Sequence, residues 1–222
     1  MIDLYYLNKV DGYDYECSAQ SNYTEIDVSK IYSESKNTLF INGLLTRDKQ
    51  IFIADVINAL NDGRDLFIEM DTPGGSVQGV REVYNSLVDF EGQVVLYSKG
   101  NIFSGGYYIA SAADKIIVSQ STGIGSIGVF SMVISYKDMF DSVGIDINVI
   151  KEGKFKTLGS PYEKLTEEDS EEIQRDIKIL YEDFVNVVSI GRNVDAEVIK
   201  GIGARSYYGR FAPKFLYDEL EG

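Results

Sequence analysis

Histidine is absent from this 222-residue sequence, cysteine occurs once, and no apolar run approaches the roughly 18 residues of a membrane-spanning helix. Without imidazole, neither a Ser-His-Asp triad nor a Cys-His pair can be built, so any nucleophilic catalysis must take its base from lysine, a carboxylate or an α-amine. Cys17 alone cannot close an internal disulfide, and one thiol with no histidine makes no zinc site, so no structural metal is expected; no cofactor is expected either. Basic residues are also scarce. With 21 against 35 acidic residues the formal charge is −14, which repels phosphate backbones and anionic membranes and argues against nucleic acid as a partner. The start, Met1-Ile2-Asp3-Leu4-Tyr5-Tyr6, lacks the basic and apolar blocks of a signal peptide, so the expected location is the cytoplasm, with no membrane anchor. Internal repeats and low-complexity linkers are absent too.

What is present suffices for one α/β domain, since 44% of the residues are hydrophobic. Residues 1–36 mix tyrosines, acids and serines without periodicity and read as an N-terminal extension, with the ordered domain expected over 37–222. From there, strand-like runs alternate with helical patterns, the signature of βα units and a largely parallel sheet. Strands are expected at Leu39–Leu44, Asp65–Met70, Val94–Ser98, Lys115–Ser119, Gly128–Ser135 and Asp146–Lys151, and helices at about 48–61, 76–89 and 104–113. A further helix opens at a capping box, Thr166 to Asp169. Along it Ile173, Ile177, Leu180, Phe184, Val187 and Val188 recur at spacings of three and four.

Two strand-to-helix junctions and one loop carry residues suited to chemistry. Asp71-Thr72-Pro73-Gly74-Gly75-Ser76 places unpaired backbone N–H groups at a turn, where they can meet an anion or an oxyanion; it reads equally as ordinary Pro-Gly punctuation. Asn101-Ile102-Phe103-Ser104-Gly105-Gly106-Tyr107-Tyr108 sets Ser104 at a second such junction, as a nucleophile or as a helix N-cap. The lysines of Lys151-Glu152-Gly153-Lys154-Phe155-Lys156-Thr157-Leu158-Gly159 are the candidate bases. A lysine base must shed about 3 pK units, a cost of roughly 4 kcal/mol that burial supplies, and Lys156 stands beside Phe155 and Leu158. Gly123-Ile124-Gly125-Ser126-Ile127-Gly128 matches G-x-G-x-x-G, with Asp146 downstream. The run that follows, Val129 to Ile134, is β-rich and does not supply the helix that a dinucleotide site needs.

Taken together, and in this order, these segments resemble the signal peptide peptidase A family of serine peptidases, which includes soluble head-maturation proteases of tailed phages. The resemblance runs from about Leu39 to Asp218 and rests on Asp-Thr-Pro-Gly-Gly-Ser-Val, Ser-Gly-Gly-Tyr-Tyr-Ile-Ala-Ser, Thr-Gly-x-Gly-Ser-Ile-Gly-Val and Gly-Lys-Phe-Lys-Thr-Leu-Gly. It implies a crotonase or Clp-protease-like α/β fold of repeated ββα units in a single domain. It also implies a Ser-Lys dyad, with Ser104 as nucleophile, Lys156 as general base, Ser126 orienting the lysine amine, and an oxyanion hole at Gly75 and Gly105 with Gly74 adjacent. A serine endopeptidase acting on peptide or protein substrates is expected, assembling as a homo-oligomer. The soluble phage type, processing capsid or scaffold proteins in the host cytoplasm or the prohead, fits better than cytoplasmic degradation of signal peptides. Two readings from other classes are a crotonase-type acyl-coenzyme A enzyme, which would need neither Ser104 nor Lys156, and a non-catalytic assembly protein.

Overall fold

A computed structural model describes residues 37–221. The expected extension over residues 1–36, and Cys17 within it, lie outside the described residues. The chain divides into two compact units, one formed by the described residues up to Gly125 together with those from Ser206 onward, the other by Ser126–Arg205.

The first unit begins with β1 (Asn37–Asn42), α1 (Arg47–Leu60), β2 (Leu66–Asp71), α2 (Val80–Val88) and β3 (Val94–Ser98). It continues with β4 (Asn101–Phe103), α3 (Gly105–Ala110), β5 (Lys115–Ser119) and β6 (Gly123–Gly125). The returning segment adds β7 (Ser206–Tyr208) and β8 (Glu219–Glu221). Five strands form one sheet in the order β1-β2-β3-β5-β8, and every neighbouring pair is parallel. A second sheet, β4-β6-β7, pairs β4 parallel and β7 antiparallel to β6. Parallel strands are covered on both faces, which is why Leu66, Phe67 and Ile68 are buried in succession and do not alternate with solvent. Helices α1 and α2 turn regular stripes to this core, Gln50, Ile53, Ala54 and Ile57 on one and Val80, Val83, Tyr84 and Leu87 on the other.

Helix α2 starts four residues later than the expected position 76. Gly79 stands at its N-cap with φ +94°, so the stretch after Gly75 stays a loop before the first helical turn.

In the second unit the helices are α4 (Lys137–Ser142), α5 (Glu167–Arg192) and α6 (Ala196–Gly201). The capping box of α5 is formed as expected: Thr166 Oγ1 accepts the Asp169 N–H at 3.1 Å while the Asp169 carboxylate accepts the Thr166 N–H at 3.1 Å. Helix α6 packs on α5, and Lys200 links them through Glu182 at 3.1 Å. Phe184, Val185, Val187 and Val188 are buried, so the last turns of the α5 stripe belong to the core of the chain.

The strands expected at Gly128–Ser135 and Asp146–Lys151 are not formed. Side-chain alternation is only half of what a strand needs; the other half is a neighbour for its backbone groups. Among the described residues neither run pairs with a strand. Their apolar side chains face outward, with Phe130 86% exposed, Met132 75% and Ile150 97%. No helix of the described residues is long and apolar enough to cross a membrane.

Candidate active site

Loop 43–46, the turn after β2 and the β4–α3 junction are laced together in the first unit. Thr72 continues the ladder from β2 to β4: its N–H donates to Asn101 O at 2.7 Å and its carbonyl accepts the Phe103 N–H at 3.1 Å. Asp71 reinforces this, its carboxylate accepting the Asn101 N–H at 2.8 Å. From the other side, Gly43 N–H donates to Asp71 O, Leu45 N–H to Gly74 O at 2.9 Å and Ser76 N–H to Leu45 O at 2.8 Å. Thr72 is fully buried; its hydroxyl donates to Gly43 O at 2.7 Å and accepts the Gly74 N–H at 3.1 Å.

Ser104 ends β4 and occupies the N-cap position of α3. Its hydroxyl makes no capping hydrogen bond, and its backbone is held at φ 50°, ψ −123°. A positive φ is strained for a residue with a Cβ and persists only where the surroundings impose it. Here the Ser104 N–H donates to Gly125 O at 3.0 Å and its carbonyl accepts from Tyr108 N–H at 3.0 Å. The reading of Ser104 as an ordinary capping serine therefore fails on geometry.

The two glycine segments meet at this serine. A Cβ on Gly74 would lie 2.8 Å from Ser104 Cβ, and one on Gly105 would lie 3.7 Å from Gly75 N. Gly75 has no room for any side chain, since its Cβ would fall 2.1 Å from Leu45 O. Of the three N–H groups, that of Gly74 is taken by Thr72, whereas those of Gly75 and Gly105 have no acceptor among the described residues. Because C=O and N–H point oppositely across a trans peptide, the bond from Leu45 to Gly74 O fixes the direction of the Gly75 N–H. The bond from Tyr108 to Ser104 O does the same for the Gly105 N–H. Two oriented donors unengaged among the described residues, on segments that meet at Ser104, are groups that can meet an oxyanion.

Ser126 and Lys156 belong to the second unit. Ser126 also has a positive φ, 55°, and its N–H donates to Arg205 O at 3.0 Å. Only Ser104, Ser126, Asn193 and Ala204 share that backbone region among described residues other than glycine. Lys156 lies in a turned loop, its N–H donating to Gly153 O at 3.2 Å, and its side chain is exposed. The burial expected from Phe155 and Leu158 is not present in this chain, because Phe155 is itself exposed and Leu158 only half-buried.

The neighbouring lysines differ from it. Lys151 donates to Thr157 Oγ1 at 2.6 Å and pairs with Glu163 at 3.4 Å, Lys154 pairs with Glu168 and Lys164 with Asp138, while Lys156 has no carboxylate partner among the described residues. The Thr157 hydroxyl, and after it Lys151, hold the Glu163 carboxyl below its ordinary range. A cavity of about 330 Å³ lies against Lys151, Lys154, Thr157, Glu163 and Lys164, and neither Ser126 nor Lys156 lines it.

The sequence profile of Peptidase family S49 matches residues 88–217. A protein carrying the name of signal peptide peptidase SppA, from Enterococcus faecium, is 32% identical over 153 residues, 67% of this chain and 44% of that protein. Capsid assembly protease C of Escherichia phage lambda is 28% identical over 182 residues, 81% of this chain and 40% of that protein. The chain spans about half the length of the curated relatives it matches. Among solved structures, a point mutant of ClpP1 from Listeria monocytogenes superposes with a TM-score of 0.57 at 14% identity, covering 88% of this chain and 96% of that one, so the Clp-protease-like fold is shared.

Proposed function

Because the chain belongs to peptidase family S49, we propose that it is a serine endopeptidase in which Ser104 attacks the scissile carbonyl and the Lys156 amine accepts the Ser104 proton. Ser126 positions that amine through its hydroxyl, and the Gly75 and Gly105 N–H groups stabilise the tetrahedral oxyanion. Gly74 contributes by its lack of a side chain, which lets the turn approach Ser104; its own N–H is already spent on Thr72. Collapse of the intermediate gives an acyl-enzyme as the lysine returns its proton to the leaving amine. Water, deprotonated by the same amine, then releases the acyl product. The observation that carries this reading is Ser104 itself: a strained, uncapped serine near two N–H donors that have no acceptor among the described residues.

Lys156 supports the assignment by being the lysine of its loop without a carboxylate partner among the described residues.

For substrate we take capsid or scaffold proteins; the relatives named as a capsid assembly protease of phage lambda and a head-tail preconnector protein of phage P21 support this, while the Enterococcus faecium relative carries a signal peptide peptidase name. The protein would then act in the host cytoplasm or inside the prohead. Incubation of the purified chain with a co-expressed capsid or scaffold protein, followed by mass spectrometry of the products, tests the reading. Discrete cleavage by the wild type and none by Ser104→Ala is expected; equal cleavage by both would overturn it.

A further inference from the structure

Gln50 is the polar exception on the buried stripe of α1, sharing it with Ile53, Ala54 and Ile57 and itself 0% exposed. Its side-chain Nε2 lies 3.2 Å from Leu45 O, 2.9 Å from Ser76 O and 3.1 Å from Gln78 O. Two amide hydrogens thus serve three carbonyls, all on the two loops that flank Gly75. The Gln50 Oε1 is buried with no hydrogen-bond partner among the described residues. Reversing the amide would set that oxygen against three carbonyl oxygens, so its neighbours fix the orientation. Packing alone does not account for such a residue, since a buried amide oxygen left unpaired destabilises the fold. The site is also shaped around it: a Cβ on Gly79 would lie 2.9 Å from Gln50 Cβ.

We propose that Gln50 is a positioning residue for the oxyanion hole. Its amide holds Leu45 O, Leu45 N–H holds Gly74 O, and the Gly74–Gly75 peptide plane then sets the direction of the Gly75 N–H. The bonds to Ser76 O and Gln78 O anchor the far side of the same turn, so that the donor is in place before charge develops. The inference rests on the serine-peptidase reading and adds a residue that neither touches substrate nor occurs in the glycine and serine motifs.

The test compares wild type, Gln50→Met and Gln50→Glu. Three quantities are measured: the rate of fluorophosphonate adduct formation at Ser104, kcat and KM on a peptide substrate, and the affinity for a peptide boronate that mimics the tetrahedral intermediate. Methionine matches the length of glutamine but offers no donor. Labelling and kcat should fall roughly 10- to 100-fold with KM little changed, and boronate affinity should fall in step with kcat/KM while product-peptide affinity stays constant. Glutamate carries one O–H donor when protonated and none when ionised. That variant should retain part of the activity at acidic pH and lose it as pH rises, relative to wild type; this profile decides the matter if Gln50→Met does not fold. Wild-type kinetics in Gln50→Met, a loss confined to KM, or a Gln50→Glu profile parallel to wild type would each overturn the inference while leaving the nucleophile assignment intact. A wild type that never labels at Ser104 would overturn the serine-peptidase reading and this inference with it.

Discussion

At the scale of single residues, three lysines within six positions stand in different surroundings. Lys151 and Lys154 are engaged by Glu163 and Glu168, whereas Lys156 is unpaired among the described residues. Lys156→Ala should therefore reduce peptide cleavage to near background. Lys151→Ala and Lys154→Ala should stay within a few-fold of wild type, because exposed ion pairs contribute little. Initial rates for the three variants check this; activity lost in Lys154→Ala and kept in Lys156→Ala would shift the base by two positions. The sequence offered candidates of this kind where a motif carried them: Ser104, Gly75 and Lys156 stand in glycine-bounded junctions, and the lack of histidine restricts any base to other residue types. Gln50 and Thr72 were not legible. A glutamine in a helix and a threonine before proline read as solvated or as turn residues until the backbone shows three carbonyls around one and an N–H on the other.

Among the elements, α5 offers the clearest test of local physics. The Thr166 side chain, then its backbone N–H, hold the Asp169 carboxyl below its ordinary range. A carboxyl depressed in the folded state contributes stability that is fully present above the unfolded value, near 3.9, and is lost as pH falls through the lower folded value. The first turn of α5 should accordingly fray below about pH 4. Thr166→Ala should lower the melting temperature by a few degrees at neutral pH. It should also flatten the acid response in far-UV circular dichroism, and an unchanged response would contradict the capping account. Periodicity located α1, α5, β3 and β5 because each buries a regular stripe or run against elements close by. It failed at 128–135 and 146–151 because alternation describes one strand's faces and says nothing about whether a partner strand exists.

For the whole molecule, the outward apolar residues are what remains to be explained. Phe184, Val187 and Val188 of the helical stripe are buried within the chain and offer no surface for self-association. Phe130, Met132, Ile134, Ile150 and Ile179 take their place as exposed apolar side chains of the second unit. Exposed apolar side chains that gather into one patch mark contact surfaces, and a second copy of the chain is a partner present wherever the chain is. Light scattering coupled to gel filtration should show a species of at least twice the chain mass of 24.8 kDa, reduced to monomer in Phe130→Ser with Ile150→Ser. A monomer at every concentration would sink the self-association. The α/β class was legible from alternating βα patterning and the Clp-protease-like fold through the family resemblance, and the ClpP1 chain shares that fold at 14% identity.

The catalytic reading turns on Ser104 being an activated nucleophile, strained and uncapped near the Gly75 and Gly105 N–H groups, which have no acceptor among the described residues. Intact-mass spectrometry after exposure to a fluorophosphonate, with peptide mapping of the product, tests it most directly. The predicted result is a single adduct on Ser104, absent from Ser104→Ala and formed far more slowly in Lys156→Ala. An adduct on another residue, or none on the folded wild type, would contradict it.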